Sequence, residues 1–383
     1  MRVVHLISGL GQGGAETVLT RLVTNSSSEH IIVSFSDEGV FGAQLREAGI
    51  PVYSLGVKSG KEGLKNLLAL RTLLKRLNPD VVQTWMYHAD LFGGLITRLS
   101  GFRHIAWGIR NSGASLKETS RVNYYLARIS AFLSRIIPQR IIVCGEQAAK
   151  IHASWGYAAN KMTVIQNGYN LEQWQPSQES RAQIRASLGL SEDVPVLGFV
   201  ARWNALKDHP TLLKAFAILK QTYPTAVLVL VGKDIDTHNQ ALMSGLQQNA
   251  LQAGKDVLLL GMRSDIPHLM PALDIHVLSS IAEGFPNVVS ESMACGVPNV
   301  VTDVGDAALI VGQNGWVAQP ANPEDLAMKM QEALDYLGQP TDKEQRAAFQ
   351  LLQQRARQSV LERFSIQTMV ANYENTWSAM LKK

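Results

Sequence analysis

The 383-residue sequence has few of the residues that build disulfide frameworks and thiolate metal sites. Its two cysteines, Cys144 and Cys295, lie far apart and form no C-x-x-C pair. This excludes a disulfide scaffold and a cysteine-ligated metal, and it suits a protein of the reducing cytosol.

Long apolar runs and a nucleic-acid-binding pattern are missing as well. Because no stretch of about 18 apolar residues occurs, the sequence predicts no transmembrane helix. The opening residues, MRVVHLISGLGQ, hold one basic residue and a short apolar run that stops in glycines, so they predict a first strand and not a signal peptide. Aromatic residues make up 7% of the chain and do not alternate with basic ones as a base-stacking platform requires. We therefore expect no nucleic-acid partner.

The net charge of +4 conceals a difference between the two halves of the chain. Residues 1–185 carry 21 lysines and arginines against 12 aspartates and glutamates, whereas residues 186–383 carry 15 against 20. A basic first half favours an anionic partner, such as a membrane surface or a phosphorylated substrate.

Apolar runs of strand length alternate with segments of helical periodicity along the whole chain. This alternation predicts an α/β protein with parallel sheets wound on both faces, and its renewed start in the second half predicts two Rossmann-like domains. We place an N-terminal domain at 1–180 and a C-terminal domain at 181–364, joined by the polar segment 170–183. The predicted strands lie near 2–8, 30–36, 51–56, 80–86, 103–109, 140–144, 162–166, 195–202, 226–233, 256–261, 274–280 and 297–305.

The first strand is followed by SGLGQGGAET, in which Gly9, Gly11 and Gly14 spell G-x-G-x-x-G. This spacing is the fingerprint of a dinucleotide site between a strand and a helix, and Asp37 stands at the end of the second predicted strand, where such a site uses a carboxylate. An NAD-dependent oxidoreductase is therefore one hypothesis. Glycines also let the backbone approach other ligands closely.

Two carboxylates in the second half flank a predicted helix start. Strand 274–280 ends before Glu283, a helix opens at Pro286, and seven residues separate Glu283 from Glu291. A carboxylate beside a helix start, which attracts anions, suits a sugar hydroxyl linked to a phosphate. The simpler alternative is that Glu283 complements the helix dipole and Glu291 faces solvent. The backbone N–H groups that would bind the anion belong to Phe285, Asn287 and Val288.

Two cations follow another strand of the same predicted sheet. Strand 195–202 ends in Arg202, and Lys207 comes five residues later, before a helix that opens near His209. Together they could clamp a diphosphate without a metal, although two cations on a loop are also an ordinary surface feature. The sequence therefore predicts no metal ion and no other cofactor.

These segments together resemble the retaining GT-B-fold glycosyltransferases of family 4, also called group 1. The resemblance rests on EGFPNVVSESMACGVPNVVTDVG, ARWNALKDH, VIQNGYN (164–170) and GQGGAE (11–16), and it extends over essentially the whole chain. It implies two Rossmann-like domains that face a cleft. It also implies the transfer of a sugar from a nucleoside diphosphate sugar, by preference a UDP-sugar, to an acceptor hydroxyl with retention of the anomeric configuration.

The resemblance assigns a role to each of these motifs. Glu283 would contact the donor sugar, Glu291 the ribose, and the pair Arg202 and Lys207 the diphosphate. The remaining donor-binding positions are expected around Glu283 and on the first glycine loop, namely Gly284, Phe285, Pro286, Asn287, Val288, Gly13 and Gly14.

Acceptor-side residues are expected after strands of the first domain. The family often carries a histidine near the reacting sugar, where this sequence has GIRNSG (108–113), and Asn170 stands in place of the family's usual aspartate. The candidates for contact with the acceptor are His88, Arg110, Asn111 and Asn167.

Residues 120–140 suggest where that acceptor lies. They place Tyr125, Ile129 and Phe132 at helical spacing among four arginines, as in a basic amphipathic helix that lies on an anionic membrane. Taken alone, the segment favours the alternative, a helix that packs on the core and turns its arginines to water. We expect a lipid-linked glycan acceptor of surface polysaccharide biosynthesis, and a cytoplasmic enzyme that contacts the membrane peripherally. The last helix, 365–383, is expected to pack back on the first domain.

Three other functions fit parts of this pattern. A nucleotide-sugar epimerase would use the same double fold without an acceptor, and incubation with the donor alone would reveal it. A protein that only binds nucleotide would have the fold without turnover. An NAD-dependent oxidoreductase would use the first glycine loop, and a nicotinamide titration would identify it.

Overall fold

The computed structural model describes residues 1–11, 13–57, 63–114, 116–338 and 342–382, without the side chains of residues 63–65, 67, 118 and 119. The chain divides into two units. The first comprises Met1–Tyr169 and the segment from Ile366 onward, and the second comprises Asn170–Ser365. The segment 170–183, expected as a linker, lies in the second unit, because the indole of Trp174 is buried there and a helix begins at Gln178.

The first unit is built on a parallel sheet of seven strands in the order β3-β2-β1-β4-β5-β6-β7. Its inner strands are largely apolar and buried on both faces, as parallel sheets covered by helices require. The strands are β1 (Arg2–Ile7), β2 (Glu29–Ser34), β3 (Val52–Ser54), β4 (Val81–Trp85), β5 (Ile105–Ile109), β6 (Arg140–Val143) and β7 (Met162–Val164).

Helices connect these strands in the doubly wound manner. A π-helix, Ala89–Gly93, joins α4 to α5. The helices are α1 (Gly14–Asn25), α2 (Phe41–Glu47), α3 (Gly63–Leu77), α4 (Met86–His88), α5 (Gly94–Leu99), α6 (Leu116–Thr119), α7 (Arg121–Leu133) and α8 (Glu146–Ser154).

The second unit has a parallel sheet of six strands in the order β10-β9-β8-β11-β12-β13. These are β8 (Val196–Val200), β9 (Val227–Val231), β10 (Val257–Leu259), β11 (Ile275–Leu278), β12 (Asn299–Thr302) and β13 (Gly315–Ala318). The helices are α9 (Gln178–Ser187), α10 (His209–Thr222), α11 (Gln240–Gln248), α12 (Ile266–Leu269), α13 (Asn287–Ala294), α14 (Ala307–Val311), α15 (Pro323–Leu337) and α16 (Lys343–Arg363).

The last helix, α17 (Ile366–Leu381), completes the core of the first unit. Trp377 and Tyr373 are fully buried, and the indole N–H of Trp377 donates to Gln83 Oε1 at 3.1 Å. At the helix surface, Glu374 accepts a hydrogen bond from Ser26 Oγ at 2.6 Å. Lys383 lies outside the described residues.

Beside Trp377, two buried imidazoles are fixed in one tautomer. Trp85 Nε1 donates to His5 Nδ1 at 3.1 Å, so the proton of His5 is on Nε2, which donates to His30 Nδ1 at 2.9 Å. Burial lowers the pKa of His5, and it lowers the pKa of His30 to about 4. Both rings are therefore neutral at physiological pH.

The order of strands reverses once in each sheet, between β1 and β4 and between β8 and β11. In doubly wound sheets, ligands bind in the crevice outside the carboxyl ends of the two strands at such a reversal. Each unit therefore has a defined place for a site. In the part of the chain that the structure describes, no helix is long and apolar enough to span a membrane.

Candidate functional site

The predicted donor-side residues follow β8 and β11, the two strands at the reversal point of the second sheet. The loop after β8 carries Arg202, which is exposed, and a 3-10 turn, Ala205–Lys207. Two hydrogen bonds tie this loop to the one after β11. Ser279 Oγ donates to the carbonyl of Lys207 at 2.9 Å, and Ile281 N donates to the carbonyl of Leu206 at 2.9 Å.

Lys207 and Glu283 form an ion pair across these two loops. Lys207 Nζ lies 2.5 Å from Glu283 Oε1, and their side chains are 25% and 13% exposed. The same carboxylate oxygen accepts a hydrogen bond from Ser280 Oγ at 2.6 Å. Both side chains are thus held in one geometry at the edge of the sheet. The hydroxyls of Ser279 and Ser280 were not among the residues predicted from the sequence.

The start of α10 fixes the loop that carries Lys207. Asp208 adopts the left-handed conformation, φ 47°, and its carboxylate accepts a hydrogen bond from Thr211 N at 3.3 Å. His209 is 1% exposed and packs between Phe199 and Trp203, with ring centroids 4.9 and 4.8 Å away. Burial, aided by the charge of Lys207, lowers the pKa of His209 to about 4. This imidazole is therefore uncharged, and it packs behind the loop.

The start of α13 differs from the prediction in two details. The helix begins at Asn287, and Pro286 is its N-cap, so the predicted start at Pro286 is one residue early. The ring of Phe285 is 7% exposed and stands edge-on to Phe364 at 5.4 Å. Its side chain is therefore part of the core, a detail that its place among the donor-binding residues did not predict. Only its backbone remains available to a ligand.

The other donor-side candidates surround the same helix start. Asn287 and Val288 form its first turn and are half-buried, and Glu291 is half-buried one turn further on. The carbonyl of Gly284 accepts a hydrogen bond from Asp306 N at 3.1 Å. The loop from β11 to α13 is thereby attached to the loop after β12.

Gly305 and Gly232, which the sequence did not single out, allow these loops to approach each other. Gly305 has φ 52°, and a Cβ there would lie 2.5 Å from the carbonyl oxygens of Glu283 and Gly284. Gly232 has φ 151°, and a Cβ there would lie 2.2 Å from the carbonyl oxygen of Ala201, just before Arg202. Backbone packs directly on backbone behind both groups of predicted ligand residues.

Gly305→Ala is expected to displace the Glu283 loop and to weaken about tenfold the affinity for UDP, the nucleotide that the family resemblance implies, because the added carbon meets two carbonyl oxygens and is strained at this φ. Calorimetric titration measures the change. Gly312→Ala is the control, since Gly312 has φ 53° but open space around its Cβ position. If Gly312→Ala lowers the affinity equally, backbone strain alone is responsible, and the contact with the Glu283 loop does not affect the affinity.

In the first unit, the glycine loop and His88 lie at the ends of β1 and β4, the strands at that sheet's reversal point. Gly13 is the N-cap of α1 and Gly14 its first residue, and the carbonyl of Gly13 accepts a hydrogen bond from Thr17 Oγ1 at 2.9 Å. His88 ends α4 and is half-buried, and burial lowers the pKa of its imidazole. The chain enters α4 through Met86, which has φ 70°.

Arg110 and Asn167, predicted separately, lie in direct contact. A guanidinium nitrogen of Arg110 donates to Asn167 Oδ1, and another lies 3.4 Å from the hydroxyl of Tyr373. The guanidinium carbon sits 5.5 Å from the ring centroid of Trp85. Nε of Arg110 is buried and has no hydrogen-bond partner among the described residues. The structure therefore holds a cation in a fixed position at the end of β5.

Asn111 is positioned by a buried pair of side chains, Tyr87 and His152. His152 Nδ1 donates to the carbonyl of Ala148 at 2.7 Å, so Nε2 accepts the proton of Tyr87 Oη, 2.6 Å away. The same hydroxyl lies 2.7 Å from Asn111 Oδ1, so this contact fixes the orientation of the Asn111 amide.

The two units match two family models. The model for Glycosyltransferase Family 4 matches residues 12–173, and the model for Glycosyl transferases group 1 matches residues 180–348. Between them they span all but the two ends of the chain and a short segment around residue 176.

Two curated relatives of the chain are named as glycosyltransferases with a lipid-linked acceptor. The chain is 26% identical, over 83% of its length and 85% of the relative's, to the N,N'-diacetylbacillosaminyl-diphospho-undecaprenol alpha-1,3-N-acetylgalactosaminyltransferase of Campylobacter jejuni. It is also 26% identical, over 63% of its length and 62% of the relative's, to the UDP-Gal:alpha-D-GlcNAc-diphosphoundecaprenol alpha-1,3-galactosyltransferase of Escherichia coli.

Solved structures share the architecture. A crystal structure of Anabaena HepE in complex with UDP matches 99% of this chain and 100% of its own, with a TM-score of 0.86 and 22% identity. A glycosyltransferase from Rickettsia africae matches 100% of this chain and 99% of its own, with a TM-score of 0.80 and 20% identity. The chain therefore belongs to glycosyltransferase family 4 and has the GT-B fold that its sequence predicted.

Proposed function

We propose that the chain transfers a sugar from a UDP-sugar to a hydroxyl of a lipid-linked glycan and retains the configuration of the anomeric carbon. The observation that carries this proposal is the Lys207–Glu283 pair beside the first turn of α13. It joins a cation, a carboxylate and a helix start at the place where a doubly wound sheet binds its ligand. The two relatives acting on diphosphoundecaprenol-linked sugars, and the solved complex of HepE with UDP, support the choice of acceptor and of base.

The donor diphosphate would change the partner of Lys207. In the described state Glu283 neutralises this cation at 2.5 Å. A diphosphate lying against the first turn of α13 and Arg202 offers Lys207 a second anion with more charge. Glu283, still held by Ser280, would then be free to accept a hydrogen bond from a hydroxyl of the donor sugar. Glu291, on the next turn of α13, is the candidate for the ribose hydroxyls.

The chemistry is then mainly electrostatic stabilisation of the leaving diphosphate. As the bond from the anomeric carbon to the phosphate oxygen breaks, negative charge grows on that oxygen beside Arg202, Lys207 and the α13 amides. We propose that the acceptor hydroxyl attacks from the same face and passes its proton to the leaving phosphate, which retains the configuration. Because the two side-chain cations already balance the diphosphate, the reaction requires no divalent metal.

The acceptor belongs to the first unit in this proposal. Arg110, stacked on Trp85, is a fixed cation for a phosphate of the lipid carrier, and the amide of Asn111, held by Tyr87, can form a hydrogen bond with a sugar hydroxyl. His88 and Asn167 complete the acceptor side. A lipid carrier keeps this acceptor at a bilayer, so we place the enzyme in the cytoplasm and in peripheral contact with the membrane.

Nucleotide titrations test the donor half of the proposal. We expect calorimetry to show binding of UDP that EDTA does not change, weaker binding of GDP and ADP, and no binding of NAD. Loss of UDP binding in EDTA would overturn metal independence. Binding of NAD in place of UDP would overturn the donor assignment and restore the first glycine loop as a dinucleotide site.

Turnover tests the acceptor half. A diphosphoundecaprenol-linked glycan is incubated with the enzyme and single UDP-sugars, and mass spectrometry should detect one added hexose or N-acetylhexosamine. The configuration of the new linkage is read from proton coupling constants in the NMR spectrum of the product. Incubation with the UDP-sugar alone is the control. An isomerised donor in that control would show an epimerase, and an inverted linkage would disprove retention.

A further inference from the structure

The inner face of α7 consists of small side chains. The residues that it buries are Ala127, Ser130 and Ala131, followed by the buried Ser134 just past the helix end. Through this face α7 packs on α4 and on the π-helix 89–93. Small side chains let helices approach closely, so α7 attaches to the unit without using its large apolar residues.

Those large residues point outward. Successive residues of a helix rotate by about 100°, which puts positions three and four apart on one face. Five such positions lie opposite the buried face and are exposed, in contrast to the core-facing alternative considered from the sequence: Val122 66%, Tyr125 64%, Ile129 50%, Phe132 70% and Ile136 61%. The solvent side of α7 is therefore its apolar side.

A second apolar stripe lies on the neighbouring helical segment. Phe92, Leu95 and Leu99 have the same three-and-four spacing and are 42%, 38% and 70% exposed. The two segments touch, since a Cβ on Gly94 would lie 3.2 Å from Ile137 Cγ2, just beyond the end of α7. We call the eight exposed residues of both stripes the apolar face.

Cations accompany the apolar face. Arg121, Arg128 and Arg135 are exposed, and their seven-residue spacing aligns them along one side of the α7 stripe. From Leu91 to Gly145 the sequence has eight lysines and arginines and one acidic residue, Glu118. Large apolar side chains flanked by arginines match the acyl boundary and the phosphate layer of an anionic bilayer. A second copy of this chain would instead bring the same arginines together with almost no carboxylate to balance them.

We infer that the apolar face, with the arginines of α7, docks the first unit on the surface of an anionic phospholipid bilayer. The role of this surface, which is to bring the enzyme to an acceptor held by a lipid, rests on the proposed function. The observations that support the surface do not depend on that function. Tyr125 suits the headgroup level, and Ile129, Phe132 and Leu99 suit the acyl boundary below it. A membrane patch made of two packed helices also sets the orientation of the first unit on the bilayer.

Sedimentation with lipid vesicles tests this surface on the full chain. We expect binding to vesicles of phosphatidylcholine with about one third phosphatidylglycerol and little binding to phosphatidylcholine alone. Ile129→Ser combined with Phe132→Ser should reduce the partition coefficient at least tenfold. Arg121→Gln combined with Arg135→Gln should reduce it by about tenfold or more on anionic vesicles, and 0.5 M NaCl should mimic that change.

The matched control is Met262→Ser combined with Met328→Ser, which removes two exposed apolar side chains, 67% and 49% exposed, from the second unit. Equal loss of binding in this control would overturn the assignment of the surface. So would a dimer by light scattering that Phe132→Ser dissociates without any change in vesicle binding. UDP titration separates the two proposals: an unchanged protein that binds UDP but no vesicles contradicts the docking surface alone, and the surface variants should keep the UDP affinity of the unchanged protein.

Discussion

Replacement of Lys207 by methionine is expected to lower kcat about 10²- to 10³-fold, the size of effect seen when one preorganised donor to a developing anion is lost. The ammonium group is anchored at the edge of the sheet by its own loop and lies 2.5 Å from Glu283. Methionine keeps most of the length of the side chain and removes the ammonium group. Transfer rates with saturating UDP-sugar, together with UDP affinity by calorimetry, measure the loss.

The matched control for this variant is Lys214→Met. Lys214 forms an ion pair with Glu324 at 3.1 Å, both side chains are more than half exposed, and such a pair contributes little. We expect its kcat to stay within about twofold of the unchanged enzyme. The double variant Lys207→Met with Glu283→Gln removes the carboxylate that methionine leaves without its cation. If this double variant regains activity, an unpaired Glu283 causes the defect, and Lys207 does not act on the diphosphate.

Acidification from pH 7.5 to pH 5 is expected to destabilise the second unit by about 4 kcal/mol, about 2 kcal/mol from each of two buried imidazoles. Burial lowers the pKa of His209 and of His276 to about 4, against 6.5 for the free side chain. Below pH 6.5 these two imidazoles bind protons in the unfolded chain but stay neutral in the folded chain. Stability is therefore present above pH 6.5 and falls as the pH drops towards 4, where the folded imidazoles also titrate.

His276 provides the sharpest test of this acid sensitivity. Its Nδ1 donates to Asn299 Oδ1 at 2.7 Å, while Nε2 is buried with no partner among the described residues, so a second proton would place a bare charge in the core. His276→Gln keeps a donor and cannot titrate, and it should halve the loss between the two pH values in denaturant unfolding. His238→Gln, at a 94% exposed side chain, should leave the loss unchanged. Equal losses in all three proteins would contradict the explanation.

In the first unit a buried carboxyl works in the opposite direction. Burial raises the pKa of Asp90 to about 8, although Thr84 Oγ1 donates to it at 2.5 Å and Gly108 N at 3.1 Å. The protonated form of Asp90 is the one that the fold stabilises, and this contribution is lost as the pH rises through 8. Acidification therefore favours the folded form of this carboxyl in the first unit, whereas it disfavours the folded form of the two imidazoles in the second.

Most of both sheets was predictable because the strands are runs of branched apolar residues between turn residues, as in β1, β8 and β11. These predictions are confirmed. The edge strand β13 was missed, since GWVA has four residues, begins with glycine and is only partly buried.

Helix α7 shows a different limit of sequence reasoning. Its periodicity predicts the helix, yet the same spacing fits an apolar face turned to the core or to the outside. The structure resolves this through Ala127, Ser130 and Ala131, whose small side chains allow close packing and therefore take the inner face. The prediction that the large residues face the core is wrong for this reason.

The sequence allowed the sheet edge that carries the candidate site to be predicted, but not the contacts within the site. The positions of Lys207 and Glu283 just after two strands indicated a common sheet edge, but 76 positions separate them, and no local pattern predicts their direct pairing. The core position of the Phe285 ring was not predicted, because an aromatic ring beside a motif can face the ligand or the core, and here Phe364 holds it in the core. Gly305 was overlooked because its role depends on a neighbouring loop.

The place of α17 in the fold has a consequence for synthesis on the ribosome. The second unit is contiguous in sequence, so it can fold once residue 365 has left the exit tunnel. The first unit needs Tyr373 and Trp377 to cover His5, Trp85 and Gln83, and these two residues are made after the whole second unit. Although translated first, the N-terminal residues finish folding only after the second unit has been made, and until then a tryptophan and a histidine pair of the nascent chain stay open to chaperones and proteases.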